Sequence, residues 1–292
     1  MILVAGSTGA VGSEIVRLLR EKGEAVRGLV RATSAPEKVA RLTELGAEPV
    51  VGDLKDRASL DKACEGARTV ISTVSMIVTA QPGDSFADTD KAGTISLIDA
   101  AVAAGAEHFV FLSFDAERFP DTPLTEGKLA VENHLRSSGI AFTILRPSPF
   151  MDAWLGPMLF ADLSSGQVKI YGTGNGKVGY VSGADVAKVA VNVAMTPAAR
   201  NSTITFTGPE AVTQREVVKI FELAAGKPLA VTEVPESALE AQWRGATDPF
   251  QKTFAGLMLG LARLDDVARS SEYSPATMLT VRDFAARRVA EA

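Results

Sequence analysis

Ile2-Leu3-Val4-Ala5-Gly6-Ser7-Thr8-Gly9-Ala10-Val11-Gly12 decides the fold. Its four apolar residues suit a buried strand, and the glycines that follow are spaced G-x-x-G-x-x-G before a stretch of helical period. In that stretch Val11, Ile15, Leu18 and Leu19 recur on one face, while Glu14, Arg17, Arg20 and Glu21 take the other. Lys22-Gly23 closes it with a basic last turn and a glycine stop. Strand, glycine turn and helix in this order form a phosphate-binding corner. The first glycine allows the tight turn, the middle one lets backbone N–H groups approach a pyrophosphate, and the third lets the helix pack close to the strand. The helix N-terminus adds unpaired donors and a partial positive charge. Gly6, Ser7, Thr8, Gly9, Ala10, Val11 and Gly12 are therefore expected cofactor contacts, against the alternative of a glycine turn that merely packs.

Outward from this corner, apolar runs at 1–5, 25–31, 48–51, 69–72, 109–113 and 141–145 alternate with helical patterns near 36–45, 94–104, 126–137 and 184–195. That rhythm predicts an α/β fold of Rossmann type, a doubly wound parallel sheet with helices on both faces. After Pro147 the alternation becomes irregular, with loop-rich stretches at 163–183 and 235–250. Residues 1–150, with 181–196 returning to them, are expected to form a dinucleotide-binding domain. Residues 151–292 are expected to form a smaller, mostly helical, discontinuous substrate lobe that includes a helix at 214–225.

Composition excludes several alternatives. The 292 residues are 46% hydrophobic and 22% charged, which suits a globular chain and excludes disorder, collagen and coiled coil. Thirty Lys+Arg against thirty-five Asp+Glu give a formal charge of −5 without a long basic run, which disfavours a grip on nucleic acid. Cys64 is the single cysteine, and no Cys/His pair has zinc-ligand spacing, so a reducing compartment and no metal are expected. The first apolar run is too short for a signal segment, and no apolar stretch reaches the roughly 18 residues of a membrane span. A cytoplasmic protein is the simplest expectation, a monomer or homodimer acting on a small molecule.

The end of the second strand selects the dinucleotide. NAD sites place an acid there, but this strand ends in Arg31, followed by Ala32-Thr33-Ser34. A guanidinium can pair with a 2′-phosphate and Ser34 can add a hydrogen bond, so NADP(H) is the expected cofactor, unless Arg31 is only a solvated surface residue. Arg27, alternating with Arg31, either shares the site or is exposed. Val51-Gly52-Asp53-Leu54 sets Asp53 and Leu54 at the end of the third strand. Asp53 either reads an adenine amino group or caps the helix beginning near Ala58. Thr73, Val74 and Ser75 form a small-residue edge suited to a nicotinamide ribose, or simply end a strand. Ser113, at the carboxyl end of the fifth strand, is placed to hydrogen-bond a substrate carbonyl, or is a satisfied strand-end serine.

The glycine turn, Val51-Gly52-Asp53-Leu54, Phe109-Val110-Phe111-Leu112-Ser113, Gly127-Lys128, Ile144-Leu145-Arg146-Pro147 and Val181 to Val186 with Asp185 together resemble an atypical short-chain dehydrogenase/reductase. The chain is most similar to the NmrA-like group, which takes in isoflavone reductase-like, triphenylmethane reductase-like and quinone oxidoreductase-like proteins. That resemblance implies NADP(H), a lysine at Lys128 that positions the nicotinamide ribose and serves as proton donor, and Pro147 and Phe150 beside the nicotinamide. The bland alternative for Lys128 is an exposed lysine paired with Glu132 at i+4. The chain departs from the Tyr-x-x-x-Lys pattern of alcohol dehydrogenases, because Leu124 stands four residues before Lys128 and none of the three tyrosines precedes a lysine at that spacing.

Together these readings predict an NADPH-dependent reductase of a small conjugated or carbonyl-type electrophile of quinone, enone or aromatic class, with Lys128 and Ser113 as catalytic residues. The rival expectation is an NADP(H)-binding sensor without turnover. Its partner surface would be the stripe of Phe254, Leu257, Met258 and Leu261, unless that stripe is core.

Overall fold

The structure, a computed structural model, describes residues 1–77 and 80–291; Ala292, the end of the expected second lobe, lies outside the described residues. Strands β1 (Ile2–Ala5), β2 (Val26–Val30), β3 (Glu48–Val51), β4 (Thr69–Ser72), β5 (His108–Leu112) and β6 (Ala141–Pro147) alternate with helices α1 (Ala10–Glu21), α2 (Pro36–Glu44), α3 (Arg57–Cys64), α4 (Thr94–Ala103) and α5 (Pro123–Ser137). Helix α6 (Gly183–Met195) then leads to a seventh strand, β7 (Ser202–Phe206), which the sequence reading does not contain. The sheet order is β7-β6-β5-β4-β1-β2-β3, and the pairings from β3 through β6 are parallel. Ile2, Leu3, Val4, Ala5, Val70 and Ile71 are almost wholly buried, as parallel strands covered on both faces require. Strand order reverses between β1 and β4, so the carboxyl ends of those two strands open the crevice where such sheets bind ligands.

Two compact units divide the chain. The first comprises 1–114, 126–146 and 186–204, and packs Leu3, Leu60, Val70, Leu97, Phe109, Phe111, Val131 and Ile144 into one core. Between β4 and α4 it carries a π-helix, Phe86–Gly93, which the sequence reading missed.

The second unit comprises 115–125, 147–185 and 205–292. It has a three-stranded sheet of Ala161–Asp162, Gln167–Tyr171 and Ala230–Val234, a two-stranded sheet of Lys177–Val178 and Val212–Thr213, and helices Gln214–Ala225, Glu236–Gly245, Pro249–Arg263 and Val281–Ala290. The stripe expected as a partner surface lies on Pro249–Arg263 and packs inward. Met258 and Leu261 are buried, and Phe254 and Leu257 pack against the same core. Leu155 and Phe160 belong to that core too, while Met158 is 73% exposed. No helix among the described residues is long and apolar enough to cross a membrane.

Candidate functional site

The glycine turn is built so that backbone, not side chain, faces outward. Gly6 has φ +81°, and a Cβ there would stand 2.5 Å from Thr73 Oγ1. A Cβ on Gly12 would stand 2.1 Å from the Gly6 carbonyl oxygen, which is why the helix can start so close to the strand. Gly9 donates its N–H to the Gly6 carbonyl at 3.0 Å, and the first helical bond runs from Ser13 N–H to the Gly9 carbonyl at 2.9 Å. N–H groups earlier in the first turn have no intrahelical carbonyl to bond. Gly9 supplies no side-chain cap and the first turn has no acid, in contrast to α3, where the Asp56 carboxylate accepts from Ala58 N–H. Thr8, Gly9, Ala10 and Val11 are accessible. The Ser7 side chain is an exception to the expected contacts: it is buried and donates to the Leu29 carbonyl at 2.8 Å, tying the turn to β2. Thr73 N–H and Oγ1–H both donate to the Ala5 carbonyl, which fixes the turn to the end of β4.

Beside the turn, at the carboxyl ends of β2 and β3, Arg31, Ala32, Thr33, Val51, Gly52, Asp53, Asp56 and Ser59 line a cavity of about 260 Å³. Asp53 does not cap α3, since Asp56 holds that place; its Oδ1 accepts from Lys55 N–H at 2.9 Å. Leu54 was expected at the cofactor, but its side chain is buried in the core against Gly93. Arg27 is occupied elsewhere, by Glu48 and the carbonyls of Ala63 and Glu65. Arg31 Nη1 donates to Asp84 Oδ2 at 2.8 Å, and Lys55 Nζ donates to Asp84 Oδ1 at 3.2 Å. Ser34 Oγ accepts from Arg31 N–H at 2.9 Å, leaving its own proton to donate. Burial pushes the Asp84 pKa up, but the Gln81 amide, Lys55 and Arg31 outweigh it and hold the carboxyl below its ordinary range.

Lys128, on α5, is 4% exposed and reaches across the ends of two strands. Its Nζ donates to the carbonyls of Val74 at 3.1 Å and Leu112 at 3.3 Å, 4.8 Å from the centre of the Phe111 ring. The exposed Lys128–Glu132 pair is therefore not formed. Glu132 is itself buried and binds Arg146 through both oxygens at 3.0 and 2.6 Å, and Arg136 at 3.0 Å. Ser113 is buried at the strand end and its Oγ–H donates to the Phe114 carbonyl at 3.5 Å. On the π-helix, fully buried Asp90 accepts from Met76 N–H at 3.1 Å through Oδ2 and from Ser75. Its Oδ1 has no hydrogen-bond partner among the described residues. Burial pushes the Asp90 carboxyl up and the Lys128 ammonium down, and the attraction between the two opposes both shifts. His108 pairs with Thr143 at 2.9 Å and His134 with Asp99 at 2.7 Å, so neither joins Lys128.

Pro147 and Phe150 fall in the second unit. Pro147 is buried, and Phe150 bridges Val181 while its carbonyl accepts from Trp154 N–H at 2.9 Å. In the same unit Tyr180 is wholly buried, and Tyr171 donates to the Leu159 carbonyl with its pKa pushed up to about 12 by burial.

The family model described as NmrA-like matches residues 1–255. The chain belongs to the NmrA-like family. Among its relatives, this NmrA-like chain is 34% identical to the NAD(P)H azoreductase of Xenophilus azovorans, over 78% of this chain and 75% of that protein. It is 32% identical to the photosystem II assembly factor Ycf39 of Synechocystis, over 87% and 76%. A longer chloroplast relative from Arabidopsis thaliana is matched over 62% of its own length. Among solved structures, the NADPH-dependent quinone oxidoreductase from Escherichia coli in complex with NADPH superposes with a TM-score of 0.80 at 22% identity, covering 99% of both chains.

The residues of this NmrA-like chain fit an NADP(H). The tight turn closes only because Gly6 and Gly12 lack a Cβ, and its helix start is uncapped, which leaves backbone donors for a pyrophosphate. The neighbouring cavity carries the cation that a 2′-phosphate needs. Sequence reasoning missed Asp84 and Asp90, which lie between β4 and α4, where no strand or helix period marks them. Their partners are 53 residues away for Arg31–Asp84 and on another helix for Lys128.

Proposed function

We propose that this chain is an NADPH-dependent reductase that passes hydride to a small conjugated or carbonyl-type organic electrophile of quinone, enone or aromatic class, without a tyrosine dyad. The first unit binds the cofactor and the second selects the substrate. Bound NADPH supplies the hydride from its nicotinamide ring. The protein supplies everything else: Gly6 to Gly12 hold the pyrophosphate, Arg31 and Ser34 take the 2′-phosphate, and Asp53 reads the adenine edge. Thr73, Val74 and Ser75 flank the nicotinamide ribose.

The observation that carries this reading is Lys128. An ammonium has three donors, and two are spent on the Val74 and Leu112 carbonyls at the ligand-binding end of the sheet. The third is held in a fixed direction, on a group whose proton burial makes easier to release. That is what a ribose-positioning proton donor requires, and it replaces the tyrosine that Leu124 does not provide. The azoreductase relative supports reduction of a conjugated acceptor.

The test is NADPH consumption over a panel of quinones, enones and dyes by the wild type and Lys128→Met. We expect turnover above the protein-free rate and a loss of roughly 10²-fold in the variant. Wild-type inertness across the panel, or an unaffected variant, would overturn the assignment.

Similarity to assembly factors supports a second reading, an NADP(H)-binding protein that signals occupancy without turnover. It predicts tight NADP⁺ binding and no NADPH consumption with any acceptor. Its expected partner stripe is spent on the second unit's core.

A further inference from the structure

We propose that Asp84 is the positioning residue that sets the preference for NADPH over NADH, by holding Arg31, which lines the adenosine cavity, and Lys55 beside it as a preoriented pair of cations. This rests on the cofactor reading above and concerns a residue with no role in it.

Three observations carry it. Asp84 is the point where the two cations converge: its Oδ2 accepts from Arg31 at 2.8 Å and its Oδ1 from Lys55 at 3.2 Å. Its side chain is only 4% exposed, against 30% for Arg31 and 37% for Lys55, so the carboxylate is the anchor and the cations are the accessible ends. The anchor is held by other donors as well: Gln81 N–H at 2.9 Å and Thr89 Oγ1–H at 3.3 Å. Thr33 Oγ1–H donates to Gln81 Oε1 at 2.6 Å, tying the same segment to the residues that follow β2.

Asp53 and Asp56 line the cavity itself, whereas a carboxylate behind Arg31 orients the guanidinium. Arg31 lines the cavity and Asp84 does not, so Asp84 backs the guanidinium. Arginine and lysine lose much side-chain entropy when ordered at a ligand, and a fixed anchor removes part of that cost beforehand. Arg31 Nη1 donates to Asp84, and the planar fork of a guanidinium matches the geometry of a phosphate. Lys55 reaches the same point from the β3–α3 loop, whose Asp53 and Asp56 line the cavity, and also donates to the Gly83 carbonyl at 3.2 Å. Only the 2′-phosphate distinguishes NADPH from NADH, so the effect of Asp84 is confined to the ratio of the two affinities.

Calorimetric titration of the full chain with NADPH and with NADH tests this in the wild type, Asp84→Asn, Arg31→Ala and the double variant. We expect Asp84→Asn to weaken NADPH binding about tenfold and to leave NADH within twofold, the unchanged NADH affinity certifying an intact fold and glycine turn. Arg31→Ala should lower the NADPH:NADH ratio further, and adding Asp84→Asn to it should lower the ratio by less than Asp84→Asn does alone, the remainder being the share held through Lys55. An unchanged or increased ratio in Asp84→Asn, or a full additional loss in the double variant, would overturn the proposal while leaving the cofactor assignment standing. A wild type that binds neither nucleotide would overturn the cofactor assignment and this proposal with it.

Discussion

Gly12 sits where a methyl group has no room. Its Cβ would fall 2.1 Å from the Gly6 carbonyl oxygen and 2.7 Å from the Gly6 carbonyl carbon, and backbone cannot swing aside as a side-chain end can. Gly12→Ala is therefore expected to open the turn, costing about 1–3 kcal/mol in urea unfolding and weakening NADPH in titration. Unchanged NADPH affinity would remove the turn from the cofactor site. His108 offers a second test at this scale. Burial first, and Arg200 second, lower its pKa from 6.5 to about 4. The unfolded chain takes up a proton as pH falls through 6.5, and the folded chain does not until about 4. The stability of the neutral buried form is thus complete above pH 6.5 and is lost progressively as pH drops toward 4, by on the order of 3 kcal/mol. Chemical denaturation across that interval should show a slope that His108→Gln flattens; an equal slope in both proteins would refute the buried-neutral reading.

At the scale of elements, β3 and β4 have the ends that their apolar runs mark, and the other strands of the first half differ from theirs by a residue or two. What escaped was the π-helix Phe86–Gly93. Its wider turn follows no 3.6-residue pattern, and its last residue, Gly93, has no room for a Cβ, which would meet Leu54 Cβ at 2.6 Å. That element carries Asp90, so the local irregularity hid a residue of the candidate site. β7 escaped for a different reason, since Ser202-Thr203-Ile204-Thr205-Phe206 is a half-polar edge strand rather than a buried apolar run. The Gly6–Gly12 turn and Arg31 were legible because their chemistry is local. Asp84 and the pairing of Glu132 with Arg146 were not, because each depends on partners brought together only by the sheet.

The π-helix makes a prediction of its own. The groups facing Lys128 are Asp90 on that element and Glu132 on α5, which is neutralised by Arg146 from β6 and by Arg136. Asp84 acts on Asp90 from the preceding loop. Asp90→Asn removes the negative charge that opposes the burial penalty, so the Lys128 ammonium must release its proton at lower pH. The alkaline limb of the NADPH-consumption profile should therefore move to lower pH in Asp90→Asn. A limb that stays in place would dissociate Lys128 from the proton-transfer step.

On the scale of the whole molecule, the sheet order β7-β6-β5-β4-β1-β2-β3 brings the Gly6–Gly12 turn, Thr73–Ser75 and Lys128 to the carboxyl ends of β1, β4 and β5, although they are spread over more than a hundred residues of chain. The cofactor carries the difficult chemistry and the fold contributes orientation, so a missing tyrosine does not prevent reduction. NADPH consumption with the acceptor panel, using ordinary and 4-deuterated NADPH side by side, reads hydride transfer by this chain directly. Consumption above the protein-free rate that is slowed by one of the two deuterated diastereomers is the predicted result. Tightly bound NADPH that no acceptor consumes would contradict it.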